Sequence, residues 1–321
     1  MLEEISIEII RKCPNECLHC SSSSDEESIE ILEYNLFMSV VRDAKDLGAR
    51  RICLSGGEPF LHKKIVEMIE FASLLGLETY VYTSGIVLDK NGLKASINKD
   101  TLEAISKKVT KLIFNIESAN EDIYNIIMGT TGCFRIMKQS VIDANNFSIK
   151  TEAHFVPIKL NIGETQDVIY LCKELKISEI SFLRLVLQGR ALLNKSKIHL
   201  SDEEFTEYKK LLNELKKQSE IPIRIGVPLT SDSSCHKCKA AKGKLTIRYD
   251  GRVFPCEVFK NNNVLYNLNG VTPESIYDKS LRDIYCDSAY LQWVRKLSQE
   301  DCSQVDCFEI CIGQRLISKG V

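Results

Sequence analysis

Charge of one sign, long apolar runs and structural punctuation are all scarce in this sequence. Lys and Arg total 42 against 44 Asp and Glu, a formal charge of -2, which leaves no electrostatic footprint for nucleic acid as a default partner. No stretch approaches the roughly 18 apolar residues of a membrane span. The first twenty residues carry acids and cysteines, where a secretion signal needs a basic start and an apolar run. Only seven prolines and sixteen glycines occur in 321 residues, and 44% of the chain is hydrophobic. Collagen-like and disordered classes are thereby excluded. The expectation is a cytoplasmic chain with a real core and no membrane partner.

Cysteine is the exception, with thirteen in the chain. Reducing conditions disfavour disulfides, so metal binding or thiol chemistry is the expected use. Strand and helix patterns alternate through the first two-thirds. Strands are predicted over Ile5–Ile10, Arg51–Leu54, Thr79–Tyr82, Lys111–Ile116, 152–158 and Ile180–Leu187, by alternating or continuous apolar residues. Between them, Leu36, Val40, Val41, Ala44 and Leu47 keep helical spacing up to Gly48, as do Ile65, Met68, Ile69, Ala72 and Leu75 up to Gly76. Another helical pattern runs over Val168–Leu175, and Asp100 is a candidate cap for a helix before Lys111. Six such units predict an α/β fold, a parallel sheet with helices outside that is open or curled into a partial (β/α)6 barrel. The run Ser21–Ser24 with Asp25–Glu27 reads as a solvated loop. From about residue 226 the texture changes, and seven cysteines fall in the last 87 residues. The predicted division is therefore 1–225 and 226–321.

Directly after the first strand stands Cys13-Pro-Asn-Glu-Cys17-Leu-His-Cys20. Three thiolates in eight residues can wrap one face of an iron-sulfur cubane and leave its fourth iron open. The bland alternative is a structural zinc site, whose loops usually pair cysteines as CxxC. The second strand ends in Leu54-Ser-Gly56-Gly57-Glu58-Pro59. Its glycines allow close backbone approach, and Glu58 offers a carboxylate to an ammonium group.

These residues resemble the radical SAM enzymes, whose CxxxCxΦC loop holds a [4Fe-4S] cluster and whose GGE motif holds the amino group of S-adenosylmethionine. His19 stands at Φ. Tyr82-Thr83-Ser84-Gly85 looks like the family's T-N-G, and Phe114-Asn-Ile-Glu117-Ser118 like its S-x-D-G. Phe182-Leu-Arg184-Leu-Val-Leu-Gln188-Gly189-Arg190-Ala191 is similar to its sixth-strand F-x-R-x-x-P-x-G-R. The resemblance implies that Cys13, Cys17 and Cys20 hold the cluster, and that Gly56, Gly57, Glu58, Pro59, Thr83, Ser84, Glu117, Ser118 and Arg184 contact S-adenosylmethionine. Ser84 and Glu117 depart from the family's Asn and Asp. It also implies reduction by a flavodoxin- or ferredoxin-type donor, cleavage to a 5'-deoxyadenosyl radical, and hydrogen abstraction from a substrate.

The carboxyl-terminal cysteines extend the resemblance. Cys235-His-Lys-Cys238 is followed by Cys256, Cys286 and Cys302-x4-Cys307-x3-Cys311, and Asp250-Gly251 between apolar runs is a hairpin signal. Together these look like a SPASM or twitch module for auxiliary [4Fe-4S] clusters. One auxiliary cluster, drawing on Cys235, Cys238, Cys256 and Cys311, is the favoured count. The alternatives are a second cluster on Cys302 and Cys307 with Cys286 or an unusual ligand, and a structural zinc site. Cys53 and Cys172 read as core residues and Trp293 as packing, while Cys133 is a candidate hydrogen donor to a substrate radical. The relatives implied by this architecture mostly modify ribosomally made peptides by crosslinking, thioether formation or epimerisation. The other readings are a twitch-type dehydrogenase of a small molecule or protein side chain, and a noncatalytic metal-binding scaffold.

Overall fold

The computed structural model describes residues 1–226, 229, 238–300 and 311–319. Its strands are β1 Glu4–Ile10, β2 Arg51–Gly56, β3 Glu78–Thr83, β4 Val87–Leu88, β5 Lys94–Ala95, β6 Lys111–Asn115, β7 Thr151–Phe155, β8 Glu179–Phe182, β9 Ile223–Ile225, β10 Lys244–Ile247 and β11 Val253–Phe254. Helices Tyr34–Asp46, Ile65–Leu74, Lys99–Ile105, Glu121–Met128, Cys133–Asn146 and Thr165–Glu174 connect the larger strands up to β8. The predicted alternation is present, with two shortenings. β7 ends at Phe155 because Val156 N turns to the Glu117 carboxylate, at 3.0 Å, and the run after Phe182 leaves the ladder. The cap of helix Lys99–Ile105 is Asn98, which accepts from Asp100 N at 2.8 Å. Asp100 lies in the first turn, where its charge favours the helix amino terminus.

Two compact units divide the chain. One comprises Met1–Lys12, Ser28–Tyr80 and Ser233–Val321, the other Cys13–Glu27 and Val81–Asp232. This division crosses the change of texture at residue 226, because β10 pairs in parallel with β1, from Glu4 opposite Lys244 to Ile7 opposite Ile247. Within the first unit the order is β11-β10-β1-β2. β10 and β11 form the antiparallel hairpin that Asp250-Gly251 signalled. Within the second unit the order is β6-β7-β8-β9, all parallel, with β4 and β5 as a small antiparallel pair.

The pattern of β1 predicts one buried face. Both are buried: Ile5, Ile7 and Ile9 lie wholly inside, and so do Ser6 and Glu8. The polar row is satisfied by pairing. Ser6 Oγ donates to Glu257 Oε1 at 2.6 Å, and Lys260 Nζ lies 2.5 Å from Glu8 Oε1. Each fully buried isoleucine contributes about 1.5–3 kcal/mol, whereas removing one partner of a buried ion pair costs about 3–5 kcal/mol. β7 repeats the device. Glu152 meets Lys111 Nζ at 2.5 Å and His154 Nε2 at 3.2 Å, and accepts from Ser181 Oγ at 2.5 Å. Burial alone would raise the Glu152 carboxyl, but hydrogen bonds from His154, Lys111 and Ser181 hold it well below the usual carboxylate range.

Candidate functional site

β1 delivers the chain to Cys13, where the cysteine loop opens. Cys13 N donates to Asp25 O at 2.8 Å, Glu16 N to Met128 O at 3.2 Å, Leu18 N to Ile127 O at 2.8 Å and Cys20 N to Cys17 O at 3.1 Å. Leu18 packs on the buried cluster of Ile127, Ile158, Ala191 and Ile198. Arg190 completes the hold, with Nε donating to Cys17 O at 3.0 Å, Nη2 to Ser24 O at 2.6 Å and its backbone N to Cys20 O at 2.9 Å. Asn194 Nδ2 donates to Leu18 O at 3.1 Å. The approach requires glycine at 189: φ is +56°, and a Cβ there would stand 2.6 Å from Ser21 O. The serine run expected in solvent is thus drawn in, with Ser22 and Ser24 buried.

The three thiols feel one another. Burial, then the charges of Cys13 and Cys20, push the Cys17 thiol well up, and Arg190 pulls against them. Among the described residues, no three His, Cys, Asp or Glu side chains close on a single metal ion.

His19, at the Φ position, places Nε2 3.2 Å from Oε1 of the fully buried Glu117. Asn161 steadies that carboxylate's strand end, donating from Nδ2 to Glu117 O at 2.9 Å and to Val156 O at 3.1 Å. Ser118 Oγ donates to Glu164 Oε2 at 3.1 Å and accepts from Asn120 N at 2.9 Å. Thr83 Oγ1 accepts from Gly85 N at 2.9 Å and Ser84 Oγ from Ile86 N at 3.2 Å, so both hydroxyls shape the turn after β3. Arg184 Nε and His19 Nδ1 are buried and have no hydrogen-bond partner among the described residues.

In the other unit, β2 ends at Gly56, with φ +136°. A Cβ on Gly56 would lie 2.1 Å from Ile10 O, and one on Gly57 2.1 Å from Lys12 O. Gly57 N donates to Ile10 O at 2.7 Å and Glu58 N to Lys12 O at 2.9 Å. Both glycines lie close against the backbone of Ile10–Lys12. Glu58 is 1% exposed and accepts from Phe60 N at 3.3 Å, capping the short turn Pro59–Leu61.

Of the carboxyl-terminal cysteines, Cys256 leads into the turn Glu257–Phe259. Burial, the Glu257 carboxylate and Cys311 push its thiol well up, so Cys256 and Cys311 lie within electrostatic reach of each other. Cys238 is half-buried and Cys286 exposed. Cys235, Cys302 and Cys307 lie outside the described residues. Cys53 and Cys172 are fully buried, as core residues are. Cys133 is equally buried, its Sγ 3.1 Å from Thr130 Oγ1.

The Radical SAM superfamily model matches residues 7–172, more than half of the chain. The chain belongs to the radical SAM superfamily. A second model, the SPASM iron-sulfur cluster-binding domain, matches residues 235–308. Streptococcus suis SuiB bound to S-adenosylmethionine is similar at a TM-score of 0.76 and 17% identity, over 97% of this chain and 72% of that one. SuiB bound to its precursor peptide SuiA gives 0.76 and 18%, over 97% and 71%. Native anSMEcpe with bound AdoMet gives 0.69 and 16%, over 96% and 87%. At such identities the likeness is one of fold.

This radical SAM protein is therefore an enzyme with [4Fe-4S] clusters and S-adenosylmethionine as cofactors, on the mostly parallel α/β fold of its superfamily. The residues present fit those groups. The cysteine loop brings together one buried and two half-buried cysteines, with the charges of Cys13, Cys20 and Arg190 all acting on Cys17, and Arg184 and His19 hold buried nitrogens without a hydrogen-bond partner among the described residues. Among the described residues no helix is long and apolar enough to cross a membrane. Sequence reasoning quoted Arg190 only as part of a motif and missed Asn161 and Asn194. All three act across long sequence separations, where only the polar residue types themselves hinted at a role.

Proposed function

We propose that this radical SAM enzyme modifies a ribosomally made peptide, by crosslinking, thioether formation or epimerisation. The observation that carries the reading is the cysteine loop, whose backbone is held at Cys17, Leu18 and Cys20 by Arg190 and Asn194. A scaffold has no need for such a hold combined with buried nitrogens, Arg184 Nε and His19 Nδ1, that have no hydrogen-bond partner among the described residues. SuiB, seen with its precursor peptide, supports peptide as the substrate class.

In this reading Cys13, Cys17 and Cys20 hold the cluster with one iron open, and Gly56–Pro59 receives the methionine ammonium. Glu117, Ser118, Thr83, Ser84 and Arg184 orient the rest of S-adenosylmethionine. Bound together, the two cofactors would supply one-electron reductive cleavage chemistry for hydrogen abstraction. The protein's own part is to hold the sulfurs, orient the ligand and exclude water. Glu117, wholly buried and paired with His19, keeps polar contacts in a dry environment where they are strongest. Cys235, Cys238, Cys256 and Cys311 hold one auxiliary cluster. The enzyme works in the cytoplasm with a flavodoxin- or ferredoxin-type donor.

The test is incubation of the reduced, reconstituted protein with S-adenosylmethionine, with and without peptides encoded beside its gene. Formation of 5'-deoxyadenosine, together with a mass change in one such peptide, supports the assignment. Formation of 5'-deoxyadenosine with oxidation of a small alcohol instead makes it a dehydrogenase, and no cleavage at all leaves a scaffold.

A further inference from the structure

The cysteine loop contains one more polar residue that its own fold does not use. Asn15 sits between Cys13 and Cys17 and is 1% exposed. Neither its Oδ1 nor its Nδ2 has a hydrogen-bond partner among the described residues. Folded proteins keep few such atoms, and each one needs a reason. The surrounding backbone is already committed. The amides of Cys13, Glu16, Leu18 and Cys20 donate within the unit. The carbonyls of Cys17, Leu18 and Cys20 accept from Arg190 and Asn194.

We infer that Asn15 is a hydrogen-bond donor to the iron-sulfur cluster, its Nδ2 serving an inorganic sulfide. The inference rests on Cys13, Cys17 and Cys20 being the cluster's ligands. A carboxamide N–H needs an acceptor, and a cluster bound by this loop brings anionic sulfur into a place where the described residues offer none. Hydrogen bonds to the sulfurs are among the factors that set cluster potential. A donor stabilises the more negative, reduced cluster and so eases its reduction. Asn15 is then a positioning residue, acting through the cluster and touching no substrate.

The experiment compares the full-length reconstituted protein with Asn15→Leu and Asn15→Asp. Redox titration follows the electron paramagnetic resonance signal that changes on adding S-adenosylmethionine, which identifies the open-iron cluster. At a fixed potential, Asn15→Leu is expected to lower the ratio of reduced to oxidised cluster about tenfold, equivalent to about 59 mV for one electron. Asn15→Asp, which puts a negative charge in place of the donor, lowers it at least as far. Iron content stays at the wild-type level, and wild type exchanged into deuterium oxide shows a coupled deuteron that Asn15→Leu lacks. Unchanged potentials in both variants overturn the inference, as does loss of iron from both, which makes Asn15 a structural loop residue. If wild type shows no signal responsive to S-adenosylmethionine, the assignment of the three cysteines itself fails.

Discussion

The two cysteine regions are built in opposite ways. The amino-terminal set is contiguous, eight residues long, and it is shaped from outside by Arg190 and Asn194, far along the chain. The carboxyl-terminal set is scattered, and the described part is arranged by secondary structure. Cys256 follows the hairpin of β10 and β11, and Cys311 precedes helix Ile312–Lys319. Their charges differ as well. Arg190 draws the Cys17 thiol down against burial, while Glu257 adds to burial in pushing Cys256 up. A contiguous loop with a cation beside it suits a cluster that must leave one iron open and accept an electron. A scattered set on a hairpin suits a cluster that is fully enclosed by protein.

The strongest way to break this contrast is to remove the first set. Replacing Cys13, Cys17 and Cys20 by alanine should abolish S-adenosylmethionine cleavage while the second region's cluster absorbance remains. Cleavage at the wild-type rate would end the radical SAM assignment of that loop. The mirror experiment is Cys256→Ala. Iron should fall from about eight to about four per chain, since each cubane carries four irons. Formation of 5'-deoxyadenosine without peptide should persist; a protein that keeps all its iron would show that Cys256 is no ligand.

Arg190→Ala removes charge-assisted hydrogen bonds to Cys17 O and Ser24 O, each worth about 1.5–3 kcal/mol. Iron held at the first loop should drop, read as loss of the signal responsive to S-adenosylmethionine. Arg190→Lys should recover only part of it, because lysine lacks the planar fork. Equal iron in all three proteins would make the clamp incidental. The smallest effect concerns Glu58→Gln, which keeps the side chain's shape and takes away one charged acceptor. Affinity for S-adenosylmethionine should weaken about ten- to a hundred-fold, from roughly 1.5–3 kcal/mol, with iron content unchanged. Wild-type affinity, measured by equilibrium dialysis, would reduce Glu58 to the cap of the turn Pro59–Leu61.

Much of this contrast is legible in the sequence because the chemistry is local. CxxxCxxC and Gly-Gly-Glu-Pro declare themselves within eight residues, and the alternation of strands and helices follows from apolar spacing. What escaped is non-local. Ser6 and Glu8 look like a solvent face until Glu257 and Lys260 are seen to cover them. The pairing of β10 with β1 bridges a separation of 240 residues, so no window of sequence reveals it. Helix Asp202–Gln218 is a different case. Ser201 and Glu204 form a capping box, with Asp202 and Glu203 in the first turn and Lys216 and Lys217 in the last, a signal readable from residue order alone.

That same pairing bears on how the protein is made. β1 emerges early from the ribosome, but its neighbour β10 is translated about 240 residues later, roughly 10–50 s at ordinary elongation rates. For that interval one side of a strand that ends up buried on both faces waits with its backbone groups open, the condition in which nascent chains associate wrongly. Truncating the gene before residue 244 would make the interval permanent, so the amino-terminal region is expected to need chaperones in the cell and to aggregate when produced alone.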